Sequence, residues 1–153
     1  MKTHKTIFNS SDRSQLITRI DNLTELHTPA WGKMNIHQML NHNIYWNQWI
    51  LGKGSPVYKQ VFMGKLFGKI ALNKMIKDKA PFDRNIPTSA QFKFPVTDGD
   101  VVAGKTDWIL LLSEYDHFYN PNFVHDFFGK VTQEQIGILV YKHTDHHLRQ
   151  FNV

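Results

Sequence analysis

The chain has 153 residues, of which 41% are hydrophobic and 20% charged, with a net charge of +5. That balance suits one globular domain with one core. It contains no cysteine, which excludes disulfides, thiolate metal ligands and a cysteine nucleophile, so any thiol chemistry needs a thiol from outside.

The opening stretch MKTHKTIFNSSDRS lacks an apolar core and does not read as a signal peptide. A first helix is expected from Ser10 or Ser11, both good N-caps, to about Glu25, with Leu16, Ile17, Ile20 and Leu23 at helical spacing. HTPAWGKM is a connector. Asn35 then caps a second helix, IHQMLNHNIYWNQWIL, which stops at Gly52.

A long connection follows, from Lys53 to Asp98. Its first half predicts a basic amphipathic helix beginning near Pro56. Pro81, Pro87 and Pro95 break the second half into irregular structure with a short extended piece. A third main helix is expected over DVVAGKTDWILLLSEYDHF. After the turn YNPNFVHDFFGK, Thr132 and Gln135 form a capping box that starts the last helix. Four main helices with one long crossover predict an all-α, four-helix bundle in a single domain spanning the 153 residues.

The charge is concentrated. Between Lys53 and Lys79 there are seven lysines and one acid, Asp78, a local balance of +6. Such a segment reads first as a solvated helix face. Nucleic-acid binding is disfavoured, because the segment has no arginine for bidentate phosphate or base-edge contacts. Its apolar side, Val61, Phe62, Leu66 and Ile70, suggests a homodimer. Gly64 and Gly68 on the same helix are a weak signal of close helix contact. The longest aliphatic run, ILLL at 109–112, is far too short to span a bilayer. The default expectation is a cytoplasmic protein without a membrane partner.

The histidines carry the chemistry. On the last helix Ile136, Val140, His143, His147 and Gln150 follow the 4-3-4-3 spacing of a core-facing seam. His143 and His147 therefore sit where apolar side chains belong, about 40° apart on the helical wheel. A buried imidazole needs partners for both nitrogens. A divalent ion meets that need, as does a hydrogen-bonded histidine cluster near the helix end.

A third ligand has to come from another helix. His42 lies on an apolar stripe with Met39, Trp46 and Trp49, whereas His37 shares a face with Asn41 and Gln48 that reads as solvent-facing. His42 is the choice. His146 is turned about 100° from His147 and is a flanking group, while Asp145, about 200° from His143, should point away.

WGKMNIHQMLNHN, followed downstream by HDFFGKVTQEQIGILVYKHTDHHLRQF, resembles the DinB/YfiT-like superfamily, and within it a branch known mainly as a domain of unknown function. The likeness runs through nearly the whole chain in order and spacing. It is strongest from His125 to Phe151 and weakest across the basic helix. It implies an up-down-down-up bundle with a long connection between the second and third helices. It also implies a metal held by His42, within MLNH, and by His143 and His147, within HTDHH. One departure is Asp126, which stands where the resemblance leads one to expect proline and bears on the turn that carries His125.

The resemblance further implies metal-dependent transfer of a low-molecular-weight thiol to an electrophilic small molecule. Zinc is the default cofactor for three imidazoles, with nickel, iron and copper also compatible. The same site would suit a hydrolase that ionises water, which needs a general base; His125, His146, Asp116 and Glu114 are the candidates, with His125 and His146 foremost. A non-catalytic binding protein with a structural ion would instead show four protein ligands. Arg149 reads as a dipole-compensating residue more than an anion anchor. Trp31, Trp46 and Trp49 read as core more than as pocket lining, and Tyr45 and Tyr141 divide the same way.

Overall fold

The computed structural model describes residues 4–93, 95 and 98–153. Among them there are five α-helices and no strand. Helix α1 spans Ser10–Asp21, α2 Ile36–Leu51, α3 Phe62–Ile76, α4 Val101–Ser113 and α5 Gln133–Gln150, with short 3-10 turns at Ala90–Phe92 and Glu114–His117. Met1 to Thr3, at the start of the chain, and Phe94, Val96 and Thr97, in the long connection, lie outside the described residues.

Local chemistry sets the helix ends. The cap of α1 is Asn9 rather than Ser10 or Ser11, its side chain accepting the Asp12 N–H. The helix stops at Asp21, short of Glu25, because Thr24 and His27 close a separate turn in which the Thr24 N–H donates to His27 Nδ1. At α2 the Asn35 side chain accepts the Gln38 N–H at 2.9 Å and Gln38 returns the contact at 3.0 Å. Gly52 then takes a left-handed conformation, φ 77°, that ends the helix. Thr132 and Gln135 make the same reciprocal cap at α5.

Two elements differ from the sequence expectation. The basic helix α3 starts at Phe62, six residues after Pro56, because the Val61 N–H is taken by the Asp126 carbonyl at 2.8 Å. Helix α4 ends at Ser113 instead of running to Phe118, and the next residues tighten into the 3-10 turn. There Tyr115 is fully buried and its hydroxyl donates to Asn47 Oδ1 at 2.9 Å. Within the irregular segment Ala90–Phe92 forms a 3-10 turn.

The main core is built from α1, α2, α4 and α5. Leu16, Met39, Trp108, Leu112, Val140 and Leu148 are almost completely buried in it. Helix α3 lies outside this core and packs on α5 through a second cluster of Leu72, Phe128 and Leu139. It approaches closely because Gly64 and Gly68 face the backbone of Phe127 and Phe128, where a Cβ would clash. The weak sequence signal from these glycines thus marks a real close contact.

Candidate metal centre

Helices α2 and α5 bring His42, His143 and His147 together. One ring nitrogen from each lies within 4.8 Å of the others. His42 and His147 are 4% and 6% exposed, and His143 is partly buried. The Nε2 atoms of His42 and His143 are 3.0 Å apart. Two nitrogens at about 2.1 Å from one ion lie about 3.0–3.4 Å apart, so this pair suits a shared ion, while a spread of up to 4.8 Å must close by about 1 Å or more for all three to ligate.

The hydrogen bonds set the tautomers. His42 Nδ1 is 3.1 Å from the Phe92 carbonyl, so it donates and leaves the Nε2 lone pair toward the cluster. His147 Nδ1 donates to Gln150 Oε1 at 2.8 Å, which frees its Nε2 as well. Gln150 is itself held, its amide donating to the Trp31 carbonyl at 2.9 Å. His143 stacks on Trp46 at 3.9 Å, 17° from parallel, and its Nδ1 has no protein partner. Its proton can sit on Nε2 and bridge to His42, or on Nδ1 and leave a third lone pair.

Burial, and after it the neighbouring imidazoles, hold His143 and His147 well below the ordinary histidine range. Burial also lowers His42, against the opposing pull of the Phe92 carbonyl. The rings are therefore neutral near pH 7, which is the state a cation needs. Three converging neutral imidazoles, two of them oriented by carbonyl acceptors, fit a divalent metal ion.

The cluster forms one wall of a cavity of about 440 Å³. Met75, Phe82, Phe92, Phe127 and Phe128 give it an apolar lining, and His125, Asp126 and His146 add polar groups. His146 and His147 also border a second cavity, of about 490 Å³, with Trp31 at its edge. His146 is half-buried between Trp31 and Phe82, with ring centroids 5.7 and 6.2 Å away, and burial lowers its pKa.

His125 is held by the turn between Phe123 and Gly129. Its Nδ1 accepts the backbone N–H groups of Phe127 at 3.1 Å and Phe128 at 3.3 Å. Asp126 Oδ1 is also 3.0 Å from that nitrogen. Both cannot be hydrogen bonds of a neutral ring. With Nδ1 as acceptor of the two N–H groups the ring proton is on Nε2; with the proton on Nδ1 the ring donates to Asp126 instead. Asp126 Oδ2 accepts from Gln91 at 3.0 Å. In the first form His125 turns an Nε2–H outward, and in the second a lone pair.

The other candidates lie elsewhere. Asp116 pairs with Arg13, and Glu114 pairs with Lys53 at 2.8 Å; neither lines the cavity. His37 is not solvent-facing: its side chain is 14% exposed and Nε2 lies 3.2 Å from Glu25. Asp145 turns away from the cluster to Arg19 at 2.6 Å and Arg149 at 2.7 Å, so Arg149 is engaged by its own helix. Trp46 and Trp49 are both buried, and Trp46 doubles as the stacking partner of His143. Tyr141 is buried and Tyr45 half-exposed; neither lines the cavity.

Two contributors had little or no signal in the sequence. Gln150 sits on the same 4-3 seam as the two histidines, and that position was its only mark. Phe92 contributes a backbone carbonyl from an irregular segment, which no side-chain pattern reveals. No helix among the described residues is long and apolar enough to cross a membrane. Comparison with protein-family models, curated proteins and solved structures gives no match for this chain.

Proposed function

We propose that this chain is a cytoplasmic DinB/YfiT-like metalloenzyme, an up-down-down-up four-helix bundle with α3 as an extra helix in the long connection. In this reading His42, His143 and His147 hold a divalent cation, zinc by default, with nickel or iron as alternatives. Its reaction is the transfer of a low-molecular-weight thiol to an electrophilic small molecule. The observation that carries the reading is the convergence of three neutral imidazoles from two helices on the wall of a largely apolar cavity.

When bound, a divalent ion supplies Lewis acidity and an open coordination position, which favour the ionised form of an incoming thiol. The protein's own groups do the rest. Phe92 and Gln150 keep Nδ1 of His42 and His147 protonated, so that both Nε2 lone pairs stay turned toward the cluster. Phe82, Phe127 and Phe128 exclude water and give an apolar substrate its surface. With Nδ1 as acceptor, His125 presents its Nε2–H to an acceptor on the substrate.

Two features weigh against the alternatives. A hydrolase needs a lone pair to accept a proton from water, and with Nδ1 as acceptor His125 has its free one committed to backbone N–H groups, which leaves His146. A structural ion calls for four protein ligands, and the group among the described residues has three.

Metal analysis of the purified protein beside a His143→Ala/His147→Ala variant tests the site. The parent should carry about one ion per chain and the variant almost none. A parent without stoichiometric metal, purified without chelators, ends the proposal. Assays with several cellular thiols, run beside ester and amide hydrolysis, then separate transfer from hydrolysis.

A further inference from the structure

Helix α3 has two faces, and only one is explained by the fold. Its inner face is Gly64, Gly68 and Leu72, which are buried, with Ala71 and Met75 reaching the cavity wall. Its outer face carries large apolar side chains with no protein cover. Phe62 is 72% exposed and Ile70 70%, and Met63, Leu66 and Phe67 are each at least half exposed. Val57 and Val61, just before the helix, are exposed as well. Leaving so many apolar groups together in water is costly, and a contiguous patch of this kind marks a contact surface.

The charges around the patch are mainly positive. On a helical projection Phe62, Leu66 and Ile70 occupy an outer arc of about 80°, with Lys65 and Lys69 on one side and Lys74 on the other. The helix contains no acid, and all seven lysines from Lys53 to Lys79 are exposed. Lys69 reaches back to the Lys130 carbonyl and Lys74 lies 3.7 Å from Asp83. A second copy of this face would bring lysine against lysine, with Asp83 beside Lys74 and no acid within the helix to answer the rest. A nucleic acid would satisfy the lysines and leave the phenylalanines in water. An anionic bilayer surface satisfies both: apolar side chains enter the headgroup boundary while lysines stay among the phosphates.

We propose that the outer face of α3 docks on an anionic membrane surface, with Phe62, Leu66 and Ile70 inserted and the flanking lysines paired to lipid phosphates. This is a contact in the plane of the interface, not a crossing, and it needs no metal. The inner side of the same helix then places the apolar cavity directly behind the lipid contact.

Vesicle co-sedimentation of the full chain tests the proposal. Vesicles of phosphatidylcholine alone are compared with vesicles containing phosphatidylglycerol, at low and high salt. Two variants on exposed positions accompany the parent: Phe62→Ser/Leu66→Ser/Ile70→Ser, and Lys59→Glu/Lys65→Glu. The parent should bind the anionic vesicles, release from them as salt rises, and ignore the neutral ones. Each variant should bind at least about tenfold more weakly, with an unchanged circular dichroism spectrum. No binding to anionic vesicles overturns the proposal. So does equal binding to neutral vesicles, or a lipid-free dimer in analytical ultracentrifugation that the serine variant disperses.

Discussion

Gln150 accepts the Nδ1–H of His147 at 2.8 Å while its own amide is tied to the Trp31 carbonyl. One buried side chain thereby sets both the tautomer and the orientation of a ring in the histidine cluster. Gln150→Leu should lower metal affinity by about 10–100-fold with little change in helix content. Gln150→Glu keeps the acceptor for His147 but loses the donor to Trp31, and should fall between the parent and the leucine variant. Chelator competition reads the difference; equal affinities for the leucine variant and the parent would rule out a positioning role.

Protonation should work against the fold. Burial sets the folded-state values of His143 and His147 well below 6.5, the ordinary value. As pH falls, the unfolded chain binds protons before the folded one does. Stability is therefore complete above about pH 6.5 and declines below it, toward the depressed folded values. Urea titrations of the metal-free protein should show this loss between about pH 7 and 5. The decline should flatten in His143→Leu/His147→Leu. A parent whose midpoint does not move over that range contradicts the assignment of neutral buried rings.

The turn at His125 makes a different claim. As an acceptor its Nδ1 matches two backbone N–H groups, so His125→Ala should cost about 1–3 kcal/mol by leaving them unmatched. Asparagine offers an oxygen at nearly the same place, and His125→Asn should recover part of that loss. Denaturant unfolding measures both. An alanine variant as stable as the parent means that the turn does not depend on the ring.

The contact between α3 and the Phe127–Phe128 backbone leaves no room for a methyl group at Gly64 or Gly68. Alanine at either position should cost about 1–3 kcal/mol through overpacking, despite its better helix propensity. Hydrogen exchange should show faster opening of α3 with α1 unaffected. A stabilised Gly68→Ala would mean that propensity outweighs the close approach.

Legibility in the sequence followed the range of the interactions. The boundaries at Asn35, Gly52 and Thr132 rest on contacts within a few residues, and the motif alone conveys them. Helical periodicity marked Ile136, Val140, His147 and Gln150 as buried and His143 as part of their seam, but it did not show that α5 is also buried on its other faces. The start of α3 was not legible, since the Val61 N–H is claimed by Asp126, a residue far along the chain. The end of α4 was not, because Tyr115 is drawn inward by Asn47 of another helix. At the site, the three imidazoles could be named in advance. The Phe92 carbonyl and the backbone N–H groups that meet His125 Nδ1 could not, for both are backbone atoms that carry no letter in the sequence.

The two-sided position of α3 makes it a lever. Ala71 and Met75 touch the cavity while Phe62, Leu66 and Ile70 face outward on the same rigid rod. A molecule that prefers one seating of that rod inside the cavity must change the affinity of whatever grips it outside. Reciprocity requires the outside partner to alter the inside affinity by the same factor. A cavity ligand that favours one seating of α3 would thus also be an effector of the surface, an effect that could be titrated from either side.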